Sequence, residues 1–297
     1  MAKILLIGGS GFLSGTMATC ALRDGHEVWA VTRGKRSPAT GVQAIVADRK
    51  DRDAFAQAIR EQKQSWDLAI DCIGFDAEDA GQDVEVISPL VQHLVFISTD
   101  FVLSPVDRPW KVDETYDKWN DTAYGVGKRA AEELLLSQIE PVTILRPCHI
   151  YGPGSLLGCL AKHGRDPQLI ERMKHGETLQ LVGGGHFLQQ PVFAPDLWRM
   201  ALSCLGNARA SRQIYFAPGQ EIIESREFYR LIGEFIGVPV TIEEVPIKSY
   251  LREHPEHGSF FAHRVYDTAK AQRDGLHIPS TPLREGLRLH VESILNA

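Results

Sequence analysis

Tyr124-Gly-Val-Gly-Lys128 sets a phenol and an ammonium four residues apart. On a helix that turns about once per 3.6 residues, the two positions share one face. A neighbouring ammonium favours the ionised form of tyrosine, which otherwise titrates near about 10, so such a pair can act as a base that removes a proton from an alcohol. The same spacing also describes a surface lysine one turn from a half-buried tyrosine, and only the surroundings decide between the two. Upstream, Gly8-Gly-Ser-Gly11-Phe-Leu-Ser-Gly15 follows the apolar run Ile4-Leu-Leu-Ile7. Backbone amides at a helix N-terminus, with the positive end of its dipole, hold a pyrophosphate where glycine permits close approach. A strand before this loop and a helix after it are the context the pattern demands.

These groups need a scaffold, and the first half of the chain supplies its rhythm. Compact apolar runs at 4–7, 27–31, 44–46, 68–71, 94–97 and 142–145 read as strands, with helices at about 12–24, 51–64, 79–92 and 121–138 between them. Apolar strands alternating with helices are the signature of βαβ units around a parallel sheet covered on both faces. After Pro147 the pattern loosens around Gly152-Pro153-Gly154, His163-Gly-Arg-Asp-Pro167 and Gly183-Gly-Gly185. A helix at about 195–205 and a strand at 214–217 return to the sheet, and 224–236 reads as a capped amphipathic helix. The expected fold is α/β, a doubly wound Rossmann parallel sheet with a smaller C-terminal substrate-binding lobe. Residues 1–151, with return segments at about 190–217, form the dinucleotide-binding part; 152–189 and 218–297 form the lobe.

A chain of 297 residues buries roughly three quarters of its unfolded surface, enough for one large core. Its hydrophobic content of 43% and charged content of 24% are those of a globular protein. The net charge of -6 gives no overall footprint for nucleic acid or an anionic membrane, so small molecules are the expected partners. Five cysteines without Cys-x-x-Cys spacing suit reduced thiols, the N-terminal apolar run is too short for a signal peptide, and no stretch reaches a membrane span. A cytoplasmic protein is expected.

The end of the second strand distinguishes cofactors. An acidic residue there binds the ribose 2′-hydroxyl of NAD, whereas arginine accommodates the 2′-phosphate of NADP. The chain has Val31-Thr32-Arg33-Gly34-Lys35-Arg36 and no carboxylate, which favours NADP over NAD. Asp48 and Arg49, after the third strand, are placed to flank the adenine.

Taken in order, Gly8-x-x-Gly11, Asp48, Phe96-Ile-Ser98-Thr99-Asp100-Phe101-Val102, Tyr124-x-x-x-Lys128 and Arg146-Pro147-Cys-His-Ile-Tyr151-Gly152-Pro153-Gly154 resemble the extended short-chain dehydrogenase/reductases, the NAD-dependent epimerase/dehydratase group. The resemblance covers nearly the whole chain. It implies that Thr99 is the catalytic Ser/Thr, Tyr124 the acid/base, and Lys128 the group that tunes it and touches the nicotinamide ribose. It also implies a cofactor site built from Gly8, Ser10, Gly11, Phe12 and Leu13 at the loop. Arg33, Asp48 and Arg49 follow at the adenosine end, and Ile73, Gly74, Ser98, Pro147 and His149 further along the strand ends. A homodimer through the helices at 79–92 and 121–138 is the assembly it suggests.

The sequence departs from the family pattern at Ser14, which stands where a third glycine is usual, and at Gly127, where serine is commoner. Each of Gly125 and Gly127 weakens its helix by roughly 1 kcal/mol relative to alanine, which close approach of a ligand or loose packing would explain. Ser98-Thr99-Asp100 is similar to the nucleotide-sugar dehydratases and 4-keto reductases, making Asp100 a candidate proton donor. Phe101 stands where dehydratases have Glu, which disfavours elimination. Oxidoreduction or epimerisation at a hydroxyl or keto group of a sugar-like substrate ranks first. A dehydratase using Asp100 is an alternative, and so is a non-catalytic cofactor-sensing or RNA-binding scaffold, since the surroundings of Arg33 and Gly183 resemble epimerase-like proteins related to chloroplast RNA-binding members. His149, Arg165 and Gln190 are candidate substrate contacts together with Thr99 and Tyr124, and His163 and His186 lie nearby in sequence. His254-Pro-Glu-His257 offers two potential metal ligands without a third, so no metal is expected.

Overall fold

The structure, a computed structural model, describes residues 1–296. Seven parallel strands form its centre: β1 (Lys3–Ile7), β2 (Glu27–Thr32), β3 (Gln43–Val46), β4 (Trp66–Asp71), β5 (Val91–Ile97), β6 (Val142–Pro147) and, from later in the chain, β11 (Gln213–Ala217). Their order is β11-β6-β5-β4-β1-β2-β3. The order reverses between β1 and β4, where open α/β sheets place ligands beyond the strand C-termini.

Side chains of a strand point alternately to its two faces, so an unbroken apolar run must be covered on both. β1 shows this directly: Ile4 and Leu6 join one core with Met17, Ala18 and Trp198, while Leu5 and Ile7 join another with Phe55, Ile59 and Leu135. The covering helices are α1 (Phe12–Arg23), α2 (Arg52–Arg60), α3 (Ala77–Gln82), α4 (Ala123–Gln138) and α6 (Ala194–Leu202). The helix expected at 79–92 is shorter and less regular than its pattern suggested. α3 passes into a wide turn, Asp83–Ile87, and a tight turn, Ser88–Leu90, and β5 already begins at Val91. Pro89 has no amide to continue the helical ladder, and the wide turn carries buried Asp83, which pairs with Arg49.

The remaining elements are α5 (Leu169–Lys174), α7 (Ser225–Ile236), α8 (Ile247–Glu253), α9 (Ala269–Arg273) and α10 (Leu283–Leu295), with short strand pairs. β7 (Ile150–Tyr151) pairs with β10 (Val192–Phe193), β8 (Leu179–Val182) with β13 (Ile242–Val245), and β9 (Leu188–Gln189) with β12 (Ile223–Glu224). Tyr151, Leu160, Met173, Phe228, Ile232 and Leu287 form a third core that serves this lobe. Tyr266, Ala271 and Leu276, assigned to the lobe by sequence, pack instead into the first core. Their segment pairs with Val112 and Gln189 and so straps the lobe back onto the sheet.

Candidate active site

The glycine loop turns tightly off β1. Gly8 has φ +101°, and a Cβ there would lie 2.5 Å from Ile73 Cγ2, so glycine is needed for conformation and space alike. Ser14 stands at the place of the usual third glycine. Its side chain is buried and its hydroxyl donates to the Gly8 carbonyl, closing the loop on itself. The N-terminus of α1 has Gly11 as its cap and no side-chain hydrogen bond, which leaves its first-turn amides open to an anion.

Beside it lies a cavity of about 520 Å³ lined by Gly8, Ser10, Gly11, Arg33, Asp48, Ile73 and Phe75, among others. Lys35 and Arg36 also line it. Arg33, Lys35 and Arg36 are exposed, and none has an ion pair or side-chain hydrogen bond among the described residues. Phe12 faces Gly154, bringing the loop against the segment that follows Pro147, while neighbouring Leu13 is half-buried at the start of α1. The loop, its uncapped helix and this cationic rim fit the adenosine diphosphate part of a dinucleotide.

Arg49 departs from expectation. It lines the same cavity, but its guanidinium turns inward, donating to Asp71 Oδ2 at 2.8 Å, Asp83 Oδ1 at 3.1 Å and the Asp79 carbonyl at 2.7 Å. Burial opposes its charge, and Asp71 and Asp83 more than offset that. Asp83 is pushed well above the usual carboxylate range by burial and by Asp71. Arg49 thus holds the floor rather than the adenine, while exposed Asp48 stays at the rim. Asp71 in turn accepts from the amides of Ile73 at 2.8 Å and Gly74 at 2.9 Å, setting the turn after β4.

The second cavity, about 370 Å³, lies over the ends of β5 and β6 and reaches into the lobe. Ser98, Thr99, Tyr124, Pro147, His149 and Arg165 all line it. Ser98 presents a buried hydroxyl with no partner among the described residues, a group suited to a bound ligand. Thr99 follows β5 and caps a short turn, accepting from the Phe101 amide at 3.2 Å. Tyr124 enters on the first turn of α4, whose N-cap is Thr122.

The glycines of α4 explain the approach. A Cβ on Gly125 would meet the Phe101 carbonyl at 2.7 Å, and one on Gly127 the Phe75 carbonyl at 2.7 Å. Protein backbone, not a ligand, demands them. They let α4 press onto the turns after β4 and β5, which brings Tyr124 to Thr99.

Lys128 is buried, donates to the Ile97 carbonyl at 2.8 Å and lies 4.6 Å over the Phe96 ring. Burial lowers its pKa, against the pull of Asp71. The Tyr124 phenol is pushed up, contrary to the expected effect of a neighbouring ammonium. Burial is the main cause, Asp100 adds to it, and neighbouring Thr99 and the charge of Arg165 oppose it. The residue itself is 43% exposed at the cavity mouth.

Asp100 is not a free donor. It is buried and accepts from Arg264 Nε at 2.6 Å, Arg264 Nη2 at 3.0 Å and the Tyr266 hydroxyl at 2.6 Å. Arg264 also lies 4.8 Å over the Phe101 ring. The sequence offered no signal for this pair, whose members are 164 residues apart. Gln190 is likewise committed elsewhere: it donates to the Gly219 carbonyl and accepts from the Tyr266 amide, and it does not line the cavity. The Cys148 thiol donates to the Gln190 carbonyl and burial pushes it up to about 12, so it is an inert wall. His149 is pushed well below its usual range by burial and by Arg264 and Arg165, and packs edge-on against Phe228. His163 braces its loop through Asp166 and Gln180, and His186 sits with Glu224 and Arg226, away from the cavity. Glu256 joins His254 and His257, the ligand atoms of all three lying within 4.8 Å of one another. His257 Nδ1, however, is already bonded to the Tyr250 hydroxyl at 2.9 Å.

A family model for the NAD dependent epimerase/dehydratase family matches residues 4–216. The chain belongs to this family. Among curated proteins, the chain is 26% identical over 236 residues to the chloroplast stem-loop binding protein of 41 kDa b of Arabidopsis thaliana, a match covering 74% of this chain and 60% of the plant protein. It is 25% identical to the 2-alkyl-3-oxoalkanoate reductase of Stenotrophomonas maltophilia, covering 96% of this chain and 97% of the reductase. A dTDP-glucose 4,6-dehydratase of Bacillus anthracis, solved with NAD, superimposes with a TM-score of 0.80 at 16% identity over 100% of this chain and 97% of that one. That likeness is one of fold.

Proposed function

We propose that the protein is an NAD(P)-dependent oxidoreductase or epimerase acting on a hydroxyl or keto group of a sugar or nucleotide-sugar-like substrate. The observation that carries this reading is the convergence of Thr99 and Tyr124 on one cavity wall, beside the unpartnered Ser98 hydroxyl and over buried Lys128. The nicotinamide, when bound, accepts or returns a hydride. Thr99 then donates to the substrate oxygen, Tyr124 exchanges its proton with that oxygen, and Lys128 holds the end of β5 through Ile97. Pre-organised donors at an oxygen that gains charge are usually a large catalytic contribution. In the reducing direction the protonated Tyr124 phenol gives its proton to a carbonyl, and in the oxidising direction Tyr124 takes one from a hydroxyl. NADP is the favoured cofactor because Arg33, Lys35 and Arg36 rim the adenosine cavity without ion-pair partners. Dehydration through Asp100 is disfavoured, as its oxygens are occupied by Arg264 and Tyr266.

The deciding experiment is Tyr124→Phe in the full chain. Loss of turnover by about a hundredfold or more, with NADPH binding unchanged by fluorescence, supports the mechanism; full turnover overturns it. Retained NAD in protein purified without added ligand favours an epimerase that recycles its cofactor, and an empty site preferring NADPH favours a reductase. The similarity to a stem-loop binding protein supports a second reading, an RNA-binding scaffold using the cationic rim. Salt-dependent RNA binding that NADP fails to displace, with no turnover, would favour it.

A further inference from the structure

We infer that the substrate carries one oxyanion group, a carboxylate or a phosphate, close to its reacting carbon, and that Arg165 binds it. This rests on the reading of the cavity as a substrate site and names the class of substrate it takes. Arg165 lines the cavity that holds Tyr124, and it has no ion pair or side-chain hydrogen bond among the described residues. Arg165 is exposed at the cavity mouth, whose lining it shares with Tyr124 and His149, and its charge acts on both. The cavity's carboxylate, Asp100, is already matched by Arg264, so Arg165 leaves the site cationic in a chain of net charge -6.

The position is built rather than incidental. Arg165 is held at φ +50°, a conformation few non-glycine residues adopt. The loop around it is anchored by buried Tyr229, whose hydroxyl accepts from the amides of Cys159 and Leu160 at 3.1 and 3.0 Å and donates to the His163 carbonyl at 3.2 Å. The Arg165 amide donates to the Gly158 carbonyl, and Gly158 lies so close to the His163 carbonyl that no side chain fits there. A braced loop that presents an unmatched guanidinium beside the reacting groups suits bidentate recognition of a carboxylate or phosphate.

The test is equilibrium binding to the full chain saturated with NADP+, which fills the glycine loop, using D-glucose 6-phosphate, D-glucuronate and neutral D-glucose as probes. One of the two anions binds about ten- to a hundredfold more tightly than D-glucose, the advantage expected of a charge-assisted pair. Arg165→Met removes this preference, and Arg165→Lys keeps part of it. Preference for the phosphate identifies a phosphate source, and preference for glucuronate a carboxylate source. If neither anion outbinds D-glucose, or if the preference survives in Arg165→Met, the inference is overturned. Because the assay reads binding and not turnover, its result is separate from that of Tyr124→Phe. An active-site tyrosine with no anion preference leaves the reaction standing with a neutral substrate, whereas an anion site with an indifferent Tyr124 leaves the site standing without the mechanism.

Discussion

At the scale of single residues, burial outweighs charge at Tyr124. Its phenol is raised and thus protonated at neutral pH, so ketone reduction is expected to be flat through neutral pH and to fall only above about 10. The opposite direction, which needs the phenolate, should rise toward that limit. A pH–rate profile of kcat in both directions checks this, and a reduction rate already falling at pH 8 contradicts it. Arg264 acts through Asp100: by gripping both carboxylate oxygens it fixes the turn that presents Thr99. Arg264→Lys keeps the charge but loses the planar fork, and a fall in kcat of about tenfold or more with little change in far-UV circular dichroism is expected. Arg264→Met leaves a buried carboxylate unmatched and should cost about 3–5 kcal/mol in urea unfolding.

At the scale of elements, α4 is the part on which the site turns. Helix propensity alone says that Gly127→Ala should stabilise by about 1 kcal/mol. The Phe75 carbonyl 2.7 Å from the added Cβ says otherwise, because backbone cannot yield cheaply. The variant is expected to lose about 1–3 kcal/mol in denaturant unfolding, as overpacked sites do, and to lose activity as α4 backs away from Thr99. A more stable variant with unchanged kcat would show that the close approach is not needed. Whereas the caps Asp51 and Thr122 came from the structure, the strands and the glycine turn were largely readable because compact apolar runs and glycine spacing are local signals. The irregular end after α3 was not, since Asp83 bends the helix for partners at Arg49 and Asp71, far away in the chain.

At the scale of the whole molecule, a 262–278 segment ties lobe and sheet together, and no helix among the described residues is long and apolar enough to cross a membrane. Several buried histidines link stability to acid. His93 pairs with Thr143 and burial lowers it from 6.5 to about 4. Its stabilising contribution is full above its unfolded value and is lost as pH falls from about 6.5 toward 4; at about 1.4 kcal/mol per pH unit it amounts to a few kcal/mol. Unfolding midpoints measured from pH 7 to 4 should therefore drop, and less steeply in His93→Gln. The amino-acid sequence by itself determined the parallel sheet, the glycine loop and the Tyr124–Lys128 face, because periodicity and short spacings survive in a string of residues. Only the tertiary structure decided that Arg49 faces inward, that Asp100 belongs to Arg264, and that Tyr124 is raised rather than lowered. Those outcomes depend on desolvation and on partners brought together through space, and neither leaves a local mark in the chain.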